Sequence, residues 1–242
     1  MSKRIKEEFG LENEELAVNE YISLNQDFMS ATYPLLADEI IARINLKEGF
    51  ILDIGTGLGS LARGFAKRLS QAKVFGIDIS EEMLTKAKEF AKNENLANIE
   101  FILQDAGKLN FPENYFDLVV SYGVLHHLKD LKGMFSQLKR VLKKEGYAFL
   151  YDLRPDSPKE VISEIAQNLP LLQSKAFLES VKESLSPDYL EGILKESGFS
   201  EYAFSTPHFS RATIVKNKAV LEKSKMLGRR FNEIILEISL KN

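Results

Sequence analysis

The apolar positions of the chain change their period several times, and each change marks an element. From about Glu14 to Ile44 they fall at helical spacings, with Leu35, Leu36, Ile40, Ile41 and Ile44 following an opening that carries Tyr21, Phe28 and Tyr33. This predicts an N-terminal helical cover over residues 1–48. Gly49 then precedes the apolar run Phe50-Ile-Leu-Asp-Ile54, a short strand that breaks into Gly55-Thr-Gly-Leu-Gly59 before Leu61, Ala62, Phe65, Ala66 and Leu69 resume a helical stripe. The alternation continues with strands predicted at 73–79, 99–103, 116–122 and 147–153 and helices at 81–93 and 131–142. Ser80 before Glu81-Glu82 reads as a helix cap followed by acids that suit the helix dipole.

After Asp152 the pattern loosens through Arg154-Pro-Asp-Ser-Pro158, and a helical stretch runs from 159 to about 185. Ser186-Pro187-Asp188 opens another helix that Gly198 closes. Two more strands are predicted near 201–205 and 211–216, and the terminal segment places Val220, Leu227, Phe231, Ile234 and Ile238 on one helical stripe. Strands alternating with helices imply an α/β fold: a mainly parallel sheet, here of seven strands, with helices on both faces. The expected organisation is one compact domain. A Rossmann-like body over 49–216 carries a helical insert at about 156–185, and a C-terminal helix fills 217–242.

Composition narrows the possible functions. With 242 residues, 44% hydrophobic and 28% charged, the chain is long enough and apolar enough for a substantial core. A net charge of −3 with mixed signs carries no basic stripe, so nucleic acid is not an expected partner. The absence of cysteine removes disulfides, thiolate metal sites and cysteine nucleophiles together. The first residues lack a signal-peptide core and no run approaches a membrane span, so a cytoplasmic protein, monomer or homodimer, is the expectation.

The candidate chemistry begins at Asp53-Ile-Gly55-Thr56-Gly57-Leu-Gly59. Alternating glycines weaken a chain unless something uses the close approach they permit, so a ligand lying against this turn is expected. A dinucleotide fingerprint would place its third glycine at position 60, where this chain has Ser60. Asp53, two residues before the glycines, would repel a pyrophosphate but attract an ammonium group.

These residues resemble the class I S-adenosylmethionine-dependent methyltransferases, close to the small-molecule and quinone-biosynthesis enzymes of that family. The resemblance covers about Gly49 to Leu153 closely and the rest of the sheet more loosely. It implies a Rossmann-like fold, S-adenosyl-L-methionine as cofactor with S-adenosyl-L-homocysteine as product, and methyl transfer to a small-molecule O, N, S or C nucleophile. Asp53, Gly55, Thr56, Gly57 and Gly59 would wrap the methionine and ribose parts of the cofactor. Asp78, ending the second strand, would accept hydrogen bonds from both ribose hydroxyls, with Ile79 lying on the adenine ring. Asp105 and Ala106 would meet the adenine edge, and Ser121 belongs to the segment beside the transferred methyl.

For the acceptor side the candidates are more open. His126, His127 and Asp152 are candidate bases. The adjacent histidines diverge and only His208 remains besides them, so no metal site is expected. Arg154 would either receive an anionic substrate group or form a surface ion pair, while Tyr21, Tyr33 and Tyr122 would either close over the ligands or pack as aromatic core. The fourth strand ends in Ser121-Tyr-Gly-Val124 and lacks the Asn/Asp-Pro-Pro of relatives that methylate nucleobases or glutamine. The missing cysteines argue against arsenic or cytosine carbon-5 as acceptor. A cofactor-binding protein without turnover, and a protein methyltransferase, are the alternatives.

Overall fold

A computed structural model of the chain describes residues 19–23, 32–218 and 233–242. A helical segment at 19–23 precedes α1 (Thr32–Ile44), and the body then runs β1 (Gly49–Ile54), α2 (Ser60–Arg68), β2 (Ala72–Asp78), α3 (Glu81–Asn93), β3 (Ile99–Leu103) and β4 (Phe116–Tyr122). A 3₁₀ turn (Leu125–His127) leads to α4 (Leu131–Val141) and β5 (Leu142–Leu153). The insert holds α5 (Lys159–Asn168) and α6 (Leu171–Lys182), and the chain continues through α7 (Pro187–Glu196), β6 (Glu201–Ser205), α8 (Arg211–Lys216) and β7 (Ile235–Lys241).

The seven strands stand in the order β3-β2-β1-β4-β5-β7-β6. Strands β1 to β5 are parallel, and β7 enters antiparallel between β5 and β6. The order reverses between β1 and β4. In an open α/β sheet that is where a crevice forms beyond the carboxyl ends of the strands. Two apolar clusters cover the two faces. One joins Ile40, Ile51, Phe65, Val74 and Val161, the other Leu52, Ile77, Phe135, Leu150 and Leu190. Strands buried on both faces read as continuous apolar runs, which is why β1 and β4 were visible in the sequence. The expected N-cap of α3 is present, Ser80 Oγ accepting from the Met83 amide at 3.3 Å.

Two expectations are corrected. The segment predicted as a strand at 211–216 is α8: Ser210 Oγ accepts from the Thr213 amide, and Thr213 Oγ1 donates to Glu39 on α1 at 2.6 Å. The cap and this tertiary bond outweigh the strand preference of Thr213-Ile-Val215, whose Ile214 and Val215 are exposed. The C-terminal helix over 217–242 is not found at 235–241, which form β7 with Ile235, Leu236, Ile238 and Leu240 buried. Ile234 and Ile238 lie four apart, a spacing that also puts two residues on one side of a strand. Val220, Leu227 and Phe231 lie outside the described residues. The helical insert consists of two helices, broken at Pro170, which lacks the amide that a continuous helix would need.

Candidate active site

The loop after β1 is built by backbone demands. Gly55, Gly57 and Gly59 all have positive φ (67°, 52° and 72°), a region L side chains avoid. Their surroundings differ. A Cβ on Gly55 would come to 2.4 Å from Val124 Cγ2, and one on Gly59 to 2.5 Å from Phe101 Cζ, so both glycines serve close packing. At Gly57 the nearest atom would be the Tyr21 hydroxyl at 3.4 Å, an ordinary contact, so no clash bars a Cβ there. Gly57→Ala is therefore expected to lower stability by only about 1 kcal/mol, the cost of the left-handed backbone. A ligand lying against this turn would bind at least tenfold more weakly, as parallel denaturation and SAH titration of the variant would measure.

Asp53 and Asp78 clamp the loop from below and from the side. Thr56 Oγ1 donates to Asp53 at 2.6 Å, and the Gly57 and Ser80 amides donate to the two oxygens of Asp78 at 2.8 and 2.9 Å. Burial pushes the Asp53 carboxyl up to about 7, against hydrogen bonds from Thr56 and the Ala62 amide, with the Asp78 charge adding to the rise. Burial raises Asp78 as well, opposed by backbone amides. A carboxyl whose folded-state pKa lies above its unfolded one holds its proton better when folded, so stability falls as pH climbs from the carboxylate range to about 7. Asp53→Asn is expected to remove that share of the decline. Urea unfolding of both proteins at pH 5 and pH 8 compares the slopes.

Beyond Asp78, Ile79 (59% exposed) and Leu103 at the end of β3 (56% exposed) present bare apolar surface at neighbouring strand ends. Leu103 was not picked out from the sequence. Only its position beside Asp78 across the β2–β3 ladder points to it. Asp105 Oδ1 accepts from the Gly107 amide at 2.7 Å within its own turn, and Ala106 is buried. Ser121 Oγ donates to the Ile54 carbonyl at 2.9 Å, so this buried hydroxyl ties β4 to β1 and is already engaged.

The second half of the crevice lies at the ends of β4 and β5. Asp152 Oδ1 lies 2.5 Å from His126 Nδ1, while its Oδ2 accepts from the His126 amide at 3.2 Å. Both side chains are almost wholly buried, at 3% and 4% exposure. His126 Nε2 and the Tyr122 hydroxyl are buried without a hydrogen-bond partner among the described residues. Burial pushes the Tyr122 phenol up, and the Asp152 and Tyr21 charges add to it. His127 crosses His126 at a ring separation of 3.6 Å and has Glu183 of the insert at 3.9 Å. Tyr33 is buried edge-on to Tyr122, with ring centroids 5.4 Å apart.

Arg154 is not part of this grouping. Its guanidinium forks onto Asp156 at 2.7 and 2.6 Å and reaches Thr206 at 3.1 Å, the surface ion pair of the two readings. Arg154→Ala is expected to change turnover less than twofold, since an exposed pair contributes about 0–1 kcal/mol; steady-state rates measure it. One contact had no signal in the sequence. Glu20 accepts from the Leu172 and Gln173 amides at 3.1 and 3.2 Å, fastening the segment that carries Tyr21 to the start of α6. Among the described residues no cluster of three His, Asp or Glu side chains is placed to hold a metal, and no helix is long and apolar enough to cross a membrane.

A glycine loop clamped by a carboxylate at the end of β2, in a 3-2-1-4-5-7-6 sheet, defines the class I methyltransferase fold. Residues 52–150 match the family model described as a methyltransferase domain. An uncharacterized methyltransferase of Schizosaccharomyces pombe is 41% identical over 103 residues, 40% of this chain and 37% of that protein. The demethylmenaquinone methyltransferase of Thermotoga maritima is 28% identical over 73% of this chain and 80% of its own length. Among solved structures, the plantazolicin methyltransferase BpumL in complex with SAH superposes with a TM-score of 0.75 at 20% identity, covering 98% of this chain and 93% of that one. The match with the first of these relatives spans well under half of that protein's length.

Proposed function

We propose that the protein is an S-adenosylmethionine-dependent methyltransferase acting on a small molecule. The observation that carries this reading is the Asp78 carboxylate held by the Gly57 amide, with the bare apolar faces of Ile79 and Leu103 beside it. A carboxylate with lone pairs to spare suits a ribose diol, and flat apolar surface suits an adenine ring. The residues present fit the cofactor: Asp53, Thr56, Gly57 and Asp78 for its polar parts, Ile79, Leu103 and Ala106 for its base. When bound, S-adenosylmethionine supplies a methyl group already activated by the sulfonium.

The chain's own residues then have to align and desolvate. Holding two reactants at attack distance can supply up to about 7 to 11 kcal/mol of the barrier. The N-terminal segment with Tyr21 and the insert helices flank the crevice, and their junction at Glu20 joins the two. A groove of about 590 Å³ between α5 and α6, lined by Pro155, Ile162, Leu178 and Val181, has the size of a small-molecule site. The Thermotoga relative is named for a small-molecule acceptor, demethylmenaquinone. Incubation with S-adenosylmethionine and a panel of small acceptors should yield SAH in proportion to methylated product. SAH binding with no turnover on any of them, and turnover on a protein extract instead, would overturn the small-molecule reading.

A further inference from the structure

The crevice contains more than a cofactor needs. Asp152 on β5 and His126 on the 3₁₀ turn after β4 are 26 residues apart and meet at 2.5 Å in a buried setting. Such a pairing fixes the imidazole: with Nδ1–H donating to the carboxylate, the lone pair of Nε2 points away from Asp152. That atom is buried and has no partner among the described residues, as is the hydroxyl of Tyr122, whose other neighbours are Asp152 and Tyr21. Leaving two buried polar atoms unpaired costs about 1–3 kcal/mol each, so something must complete them. The pair also sits against the cofactor loop. Gly55 packs on Val124, two residues before His126, and Tyr21 stands over Gly57.

We propose that His126 is the catalytic base of the transfer, positioned by Asp152, and that the acceptor attacks through a hydroxyl oxygen. This rests on the methyltransferase reading and deepens it. A hydroxyl donates one hydrogen bond and accepts others, which suits an unpaired imidazole nitrogen and an unpaired phenol around one carboxylate. An amine has a single lone pair, needed for the attack, and leaves nothing for Tyr122 to donate to. A thiolate needs no base. In the step, the acceptor O–H proton passes to His126 Nε2 while the oxygen lone pair forms the new O–CH₃ bond. The S–CH₃ bond breaks with its electrons returning to sulfur, giving neutral SAH and an imidazolium beside Asp152.

Asp152 thus acts through His126 and is a positioning residue. The charged or titratable groups around the imidazole are Asp152 on β5, Tyr122 on β4, His127 on the same turn, Glu183 at the end of α6 and Tyr21 on the N-terminal segment.

Two measurements test this. Long-range ¹H–¹⁵N spectra of the SAH-saturated protein, assigned with His126→Gln, should show His126 protonated at Nδ1 and bare at Nε2, and Asp152→Ala should shift the tautomer. A proton found on Nε2 in the wild type would overturn the proposal without touching the cofactor reading. The second measurement follows SAH formation with catechol and 1-naphthol against 2-phenylethylamine and benzenethiol. The hydroxyl compounds should be the ones turned over. His126→Gln should lower kcat by about 100-fold or more with SAH affinity within threefold of wild type. Asp152→Asn should lower kcat about tenfold or more and move the acid limb of the pH profile to lower pH, because the imidazolium loses its counter-charge. Turnover of the amine or thiol alone, or unchanged kcat in His126→Gln, would overturn it. Loss of SAH binding by the wild type would instead overturn the underlying assignment.

Discussion

Asp78→Ala is expected to weaken SAH binding by about 100-fold while leaving the protein folded. The carboxylate receives the Gly57 and Ser80 amides at 2.8 and 2.9 Å, one oxygen each, and keeps further lone pairs for a ligand. Hydrogen bonds to a charged acceptor contribute roughly 1.5–3 kcal/mol each. Two to a ribose diol, discounted for water that refills the site, come to about 3 kcal/mol, or two decades of affinity. Asp78→Asn retains one acceptor oxygen and should lose roughly tenfold. Titration calorimetry of the three proteins measures both steps, and equal affinities would show that Asp78 only braces the loop.

The second large effect is expected at Gly55, and it concerns stability. Its φ of 67° alone costs an alanine about 1–2 kcal/mol. The new Cβ would stand 2.4 Å from Val124 Cγ2 and 3.0 Å from Cγ1, and a β-branched valine has no alternative rotamer to retreat into cheaply. Together about 3 kcal/mol is expected, a fall in Tm of roughly 6–12 °C for a chain of this size. The strain would also displace the turn that carries His126, so turnover should fall further than stability. Val124→Ala should restore about half of the lost stability in the double variant, because it removes the clash and leaves the backbone cost. Thermal unfolding of the two single variants and the pair would settle whether the clash or the backbone dominates.

What was legible in the sequence is what short-range physics writes into it. The glycine loop, Asp53 and Asp78 are each fixed within a strand and the turn that follows it, so residue type and spacing sufficed. Strands β1, β2 and β4 carried mostly apolar stretches because most of their residues are covered on both faces. The acceptor side was legible as a set of residues and not as a structure. His126 and Asp152 were both candidate bases, but their pairing depends on β4 and β5 lying side by side. Ser121 lies in the right strand, yet its hydroxyl is taken by Ile54, a contact made only when β1 and β4 meet. Glu20 and α6 lie about 150 positions apart and share no pattern. The two misread elements failed for opposite reasons. In β7 the apolar spacing fits both periods. In α8 the β-branched residues face outward and a cap decides.

The most direct test of a glycine loop built for S-adenosylmethionine is thermal unfolding of the unmodified protein with SAH and, separately, with NAD⁺. At a hundred times its Kd a ligand that binds only the folded state adds about 2.7 kcal/mol, which for this chain length raises Tm by roughly 5–10 °C. SAH should produce that shift, saturating at one molecule per chain, and NAD⁺ should produce none, since Asp53 and Ser60 stand where a pyrophosphate site would differ. No shift with SAH, or an equal one with NAD⁺, would contradict the assignment of this loop.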